Sequence, residues 1–209
     1  MGGNTILNKL TNKNKTNMKN AKFIVFEGLD ASGKSTISKR FAKQHNLQLL
    51  GAIPPEIKAW LPKLSATKLP EATFSYFTLC NLLMAQKIND ILAKGESLVL
   101  DRYFYTSYTY HTRLLKAQMP EAIKKVYNFP NLPKPDFVVF LDVPQSVRTN
   151  RIKERSEDLQ WYGDAVSMQF DLTQTYFDLF EELKVNVIRI DNHKNSIQET
   201  LAIINQHYS

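Results

Sequence analysis

The stretch that most restricts the fold is Phe23–Thr36, FIVFEGLDASGKST, where a short apolar run meets a turn holding two glycines, a lysine and three hydroxyl residues. A run of this length bounded by a glycine-containing turn predicts a buried β-strand. The turn obeys G-x-x-x-x-G-K-[ST] through Gly28, Gly33, Lys34 and Ser35, and the periodicity after it predicts a helix from Gly33 to about His45. Strand, glycine-rich turn and helix in that order make a phosphate cradle. The glycines let backbone N–H groups turn inward as an anion nest, and the helix start adds its positive end. Lys34 is placed to reach the β- and γ-phosphates of a nucleoside triphosphate and Ser35 to give its hydroxyl to Mg²⁺, with Ala31, Ser32 and Thr36 completing the loop. ATP or GTP with Mg²⁺ is therefore the expected guest.

Four further apolar runs, LQLLGA, SLVLDRY, DFVVFLDV and VNVIRID, are bounded by turn signals and separated by segments of helical length. The clearest helical periodicity lies over Glu71 to Lys94, Pro144 to Glu154, Asp164 to Leu183 and Asn195 to Asn205. Strands alternating with helices predict an α/β fold, a parallel five-stranded sheet with helices on both faces, whose ligand site lies beyond the carboxyl ends of the strands. Between Gly51 and Pro70, four prolines and weak periodicity predict a loop with one short helix around Trp60, which reads as a core anchor.

At 209 residues and 43% hydrophobic content the chain suits one domain. The net charge of +7 suggests nucleic acid at first sight, but Lys9, Lys13, Lys15, Lys19 and Lys22 supply five of those charges within an acid-free start, leaving +2 for the rest. Residues 1–21 therefore read as a disordered basic N-terminal extension and 22–209 as the single domain, with no nucleic-acid partner expected. The absence of an apolar run of about 18 residues or of a signal-peptide core predicts neither membrane association nor secretion, hence a cytoplasmic protein. The single cysteine, Cys80, reads as core packing.

A phosphate loop alone serves kinases, switches and motors. The guanine-reading N-K-x-D and the switch D-x-x-G are missing, since DRYF follows strand three and DNHK follows strand five. Asp101 and Arg102, at the end of the third strand, instead suit phosphoryl transfer. Asp101 holds Mg²⁺ or orients the attacking oxygen, and Arg102 neutralises charge on the phosphoryl group in flight. The loop carries no arginine of its own, and RTNRIKER places Arg148, Arg151 and Arg155 on one helical stripe.

FEGLDASGKST, DRYFYTSYTYH and FLDVPQSVRTNRIKER resemble the thymidylate kinase family of P-loop nucleoside monophosphate kinases, from about Lys22 to Tyr176. The resemblance implies the three-layer P-loop kinase fold, ATP and Mg²⁺, a lid over about 148–163 with Arg151 and Arg155 as its catalytic arginines, and a homodimer. It places Asp30 by the sugar 3′-hydroxyl, Ser107 and Tyr110 in the nucleoside pocket, Phe77 stacked on the base and Asn81 at the base edge. The family's arginine after strand two, which grips the acceptor phosphate, has no counterpart in LLGAIPPEIKAW, and Asn81 stands where the family carries arginine. Those two departures keep open a deoxynucleoside kinase, or a nucleotide-binding protein impaired in catalysis. Lys58 is the cation nearest the missing grip in sequence.

Overall fold

The computed structural model describes residues 21–115, 132–154 and 164–208. Most of the segment expected to be an N-terminal extension, up to residue 20, and the expected lid from Arg155 to residue 163, including Trp161 and Tyr162, lie outside the described residues. The elements are β1 Phe23–Glu27, α1 Lys34–Gln44, β2 Gln48–Gly51, a 3₁₀ turn Pro55–Trp60, α2 Leu61–Ala66, α3 Pro70–Ala93, β3 Leu98–Asp101 and α4 Phe104–Leu114. After these come β4 Phe137–Asp142, α5 Gln145–Lys153, α6 Asp164–Gln169, α7 Thr173–Glu182, β5 Val187–Asp191 and α8 Ile197–Tyr208.

All five strands are parallel, in the order β2-β3-β1-β4-β5. Side chains alternate across a strand, so β1 feeds two cores. Phe23 and Val25 pack with Met84, Ile88, Tyr176 and Phe180, from α3 and α7. Ile24 and Phe26 pack with Ile37 and Phe41 of α1 and Ile204 of α8. Every residue of β1 is buried, which is why its sequence is a continuous apolar run rather than an alternation. Because β1 lies between β3 and β4, the chain crosses over it between those strands, and the crevice at their carboxyl ends receives the loops that follow β1 and β3.

Three local expectations are corrected. LQLLGA forms β2 but as a mostly exposed edge strand, since only β3 pairs with it. The helix expected over Asp164–Leu183 breaks into α6 and α7. Asp171 Oδ1 accepts from Thr173 N–H at 3.0 Å and from its hydroxyl at 2.6 Å, so the side chain competes with the helical ladder and restarts the helix. Trp60 is 52% exposed rather than a core anchor, while Ile57, Leu61, Tyr76 and Cys80 form a small core of their own. Helix α4 was not legible from periodicity, because YFYTSYTYHTRL is dominated by aromatic and β-branched residues of middling helix propensity. No described helix is long and apolar enough to cross a membrane.

Candidate active site

The loop after β1 is shaped by two glycines. Gly28 has φ +140°, and a Cβ built there would stand 2.5 Å from the Leu141 carbonyl oxygen and 2.8 Å from Ser32 Oγ. Gly33, at φ +92°, precedes α1, and its Cβ would meet Asn192 Nδ2 at 2.8 Å. Both positions therefore need a residue without a side chain. Three side chains engage the carbonyls of the turn. Lys34 Nζ donates to Leu29 O at 2.7 Å, Arg151 Nη1 to Ala31 O at 3.0 Å and Asn192 Nδ2 to Ser32 O at 2.8 Å. With those oxygens engaged, the dipoles left to an incoming anion are the N–H groups of Lys34 and Ser35 at the head of α1, since the N–H groups of Thr36 and Ile37 already donate to Gly33 O at 3.1 Å.

Beside the loop, Arg102 sits at φ +71°, its N–H donating to Phe26 O at 3.0 Å. Its guanidinium forms an ion pair with Asp30 and lies 3.5 Å from Thr106 Oγ1. The hydroxyls of Tyr110 and Ser167 donate to Asp30 Oδ2 at 2.7 and 2.9 Å. Burial pushes the Asp30 carboxyl up, but the charges of Arg102 and Lys34 and these hydrogen bonds outweigh it and hold the group well below the usual carboxylate range. Burial, then the Arg102 charge, push the Lys34 ammonium down to about 7, against the pull of Asp30, Asp101 and Glu27. Glu27 is displaced upward by its complete burial, despite hydrogen bonds from Thr106 and Tyr103.

Asp30, Lys34, Arg102, Thr106 and Tyr110 border a cleft of about 550 Å³. Of the residues predicted for phosphate and metal, Ala31, Gly33, Lys34, Ser35, Thr36 and Asp101 line it. Ser35 is exposed and Asp101 partly so, and both border the cleft. Gly28 and Ser32 do not line the cleft; they shape the loop from beneath, Ser32 being fully buried. On the acceptor side Asp30, Phe77, Arg102, Ser107 and Tyr110 line it. Asn81 does not: it is 4% exposed and donates to Ser107 Oγ at 3.4 Å, one layer behind the wall.

Arg151 donates to the carbonyl of Ala31 in the loop after β1, and Arg155 lies outside the described residues. Arg148 departs from the stripe. It is fully buried, with Nε donating to Val143 O at 3.0 Å and Nη1 to Ser167 O at 3.3 Å, so it ties α5 to α6 rather than facing the cleft. His111 lines the cleft as a neutral imidazole, pushed down to about 4 by burial, with Nδ1 2.7 Å from Ser107 O. Tyr176 is packed inside, its hydroxyl 2.8 Å from Thr106 Oγ1. The sequence reading missed Glu27, Thr106, Ser167 and Asn192. Only Glu27 left a signal, an acid closing an otherwise apolar strand run.

The thymidylate kinase family profile matches residues 26–203, most of the chain. The chain belongs to the thymidylate kinase family. A thymidylate kinase of Plasmodium falciparum is 31% identical over 200 residues, spanning 88% of this chain and 92% of its own length. One from Leptospira interrogans is 29% identical over 204 residues, 89% and 96% of the two chains. Among solved structures, a thymidylate kinase of Candida albicans superposes with a TM-score of 0.65 at 18% identity, covering 91% of this chain and 94% of that one. A deoxyadenosine kinase of M. mycoides with bound dATP gives 0.67 at 18% identity, covering 90% and 100%. At that identity the two superpositions establish the P-loop kinase fold. Family membership makes the chain a nucleotide kinase, a phosphotransferase.

Proposed function

We propose that this member of the thymidylate kinase family transfers the γ-phosphoryl group of ATP to a nucleoside monophosphate, dTMP giving dTDP. The observation that carries the reading is the convergence of Lys34, Asp101, Arg102 and Asp30 on one cleft, which Phe77, Ser107 and Tyr110 also line. The loop amides and Lys34 hold the phosphates, and Lys34 regains its full charge as they approach. Arg102, released from part of its pairing with Asp30, neutralises charge on the transferring group, and Arg151 joins it from the lid. Asp30 takes the sugar 3′-hydroxyl and Phe77 the base face, with Asn81 steadying Ser107 from behind. Among the described residues no group of three acids, histidines or cysteines could hold a metal by itself, so Mg²⁺ would be held by Ser35, Asp101 and the nucleotide's own phosphates. When bound, it neutralises phosphate charge. We further propose a single domain over 22–209, Arg155 as the second lid arginine, a homodimer, and a cytoplasmic site of action.

A second reading rests on one observation. Gly51, Ala52 and Ile53 border the cleft where the family's phosphate-gripping arginine is expected, and the cations among the lining residues are Lys34, Lys58 and Arg102. A nucleoside acceptor brings no phosphate to grip, which suits a deoxynucleoside kinase. Because Lys58 stands at that wall, we assign it the acceptor phosphate. An ADP-release assay with dTMP and thymidine decides between the readings. Turnover of dTMP, with a KM about tenfold higher in Lys58→Ala (a lost charge-assisted contact), supports the monophosphate; turnover of thymidine alone overturns it.

A further inference from the structure

Strand β1 ends on a carboxylate that the mechanism leaves unused. Glu27 is fully buried and does not line the cleft, yet both of its oxygens are engaged. Oε1 accepts the Tyr103 N–H at 2.8 Å. Oε2 accepts the Thr106 hydroxyl at 2.6 Å and the Tyr176 hydroxyl at 3.3 Å. Tyr103 follows Arg102 directly and caps α4 without a side-chain bond of its own, while Thr106 Oγ1 stands 3.5 Å from Arg102 Nη1. A carboxylate at this helix start also meets the positive end of the helix dipole.

Arg102 itself has φ +71°, a left-handed backbone that a β-carbon disfavours and that persists only where the surroundings over-determine it. Two neighbouring residues of β1 do so. Phe26 O takes the Arg102 N–H at 3.0 Å and Glu27 takes the N–H that follows. The turn is thereby clamped on both sides of the arginine, whose guanidinium pairs with Asp30 of the loop after β1 and approaches Thr106 of α4.

We propose that Glu27 is a positioning residue for Arg102, holding the Tyr103 N–H and the Thr106 hydroxyl so that the left-handed turn aims the guanidinium at the transferring phosphate. What matters is an acceptor oxygen at the right reach, not the negative charge. The inference rests on the role given to Arg102 above.

Two conservative variants separate reach from charge. Glu27→Gln keeps side-chain length and an acceptor oxygen for Tyr103, and its amide donates to Thr106 Oγ1. Glu27→Asp keeps the charge but withdraws the carboxylate by one methylene. The expectation is a loss of kcat below about fivefold for Gln, and of about 10²-fold for Asp with KM for ATP nearly unchanged, as for a small misplacement of a catalytic group. In an Arg102→Ala background, followed by single turnover, Glu27→Asp is expected to lower the rate no further. Full turnover in Glu27→Asp, an equal loss in Gln and Asp, or additive losses in the double variant would each overturn the proposal. Should the Asp variant fail to fold by circular dichroism, Thr106→Val removes the hydroxyl between Glu27 and Arg102, with an expected kcat loss of about tenfold; wild-type turnover there also overturns it. Arg102→Ala with full activity would instead overturn the role of Arg102, whereas an inactive Arg102→Ala beside unimpaired Glu27 variants would overturn this inference alone.

Discussion

Replacing Gly28 by alanine tests whether the phosphate loop is shaped by backbone that no side chain can share. The new Cβ would lie 2.5 Å from the Leu141 carbonyl oxygen, a distance real Cβ atoms do not show, so about 0.5 Å or more of movement is forced. The neighbour is backbone of β4, paired with β1 through Glu27 and Phe140, and it cannot yield without straining the sheet. The left-handed φ costs an alanine about 1–2 kcal/mol, and crowding in a packed site adds about 1–3 kcal/mol, giving about 2–5 kcal/mol in all. For a chain of this size that is a fall in Tm of about 4–20 °C. Gly33→Ala meets only the end of the Asn192 side chain and should show the φ penalty alone, about 1–2 kcal/mol. Gly51→Ala has nothing within 4 Å of its Cβ and should stay within about 2 °C of the wild type, as surface substitutions do. The assay is thermal denaturation with and without ATP, with ATP affinity by calorimetry. Wild-type Tm and wild-type ATP affinity in Gly28→Ala would refute the reasoning, as would equal effects at all three glycines.

Lys34→Met removes the ammonium while keeping most of the side chain, and kcat should fall by about 10²–10³ in steady-state kinetics; retention of full turnover would remove Lys34 from the mechanism. Because Lys34 is pushed to about 7 in the free protein and a bound triphosphate restores its proton, ATP binding should take up close to one proton at pH 8 and almost none below pH 6. Affinity should accordingly weaken as pH rises above 7, which calorimetry in buffers of different ionisation enthalpy reads directly. The same depression makes the free protein gain stability between about pH 7 and 10, since there the unfolded chain binds more protons than the folded one. Phe41, fully buried between Phe26 and Tyr208 with ring centroids at 5.7 and 5.4 Å, should cost about 3–5 kcal/mol on replacement by alanine in denaturant unfolding, with ATP affinity kept while the protein stays folded.

The phosphate loop was legible because its demands are local. Two glycines, a lysine and a hydroxyl at fixed spacing, between an apolar run and a helical period, determine backbone, charge and placement together. The buried strands β1, β3 and β4 were legible for the same reason, as runs too apolar for a surface. What the sequence hid depends on contacts made far along the chain. Helix α4 begins where Glu27, 76 residues earlier, accepts the Tyr103 N–H, and propensity within YFYTSYTYHTRL does not announce it. The role of Arg148 was hidden because a spacing of three or four residues fixes a face of the helix but not what that face meets; here it meets Val143 and Ser167. Asn81 shows the same limit, being near the cleft in sequence logic but one layer behind it in space.

The most direct test of the account is the fate of the phosphoryl group itself. With γ-labelled ATP, Mg²⁺ and dTMP, the account expects label in dTDP with the wild-type protein and its loss with Arg102→Ala, at an ATP affinity within about threefold of wild type. Label released only as inorganic phosphate, or transferred to thymidine and not to dTMP, would contradict it.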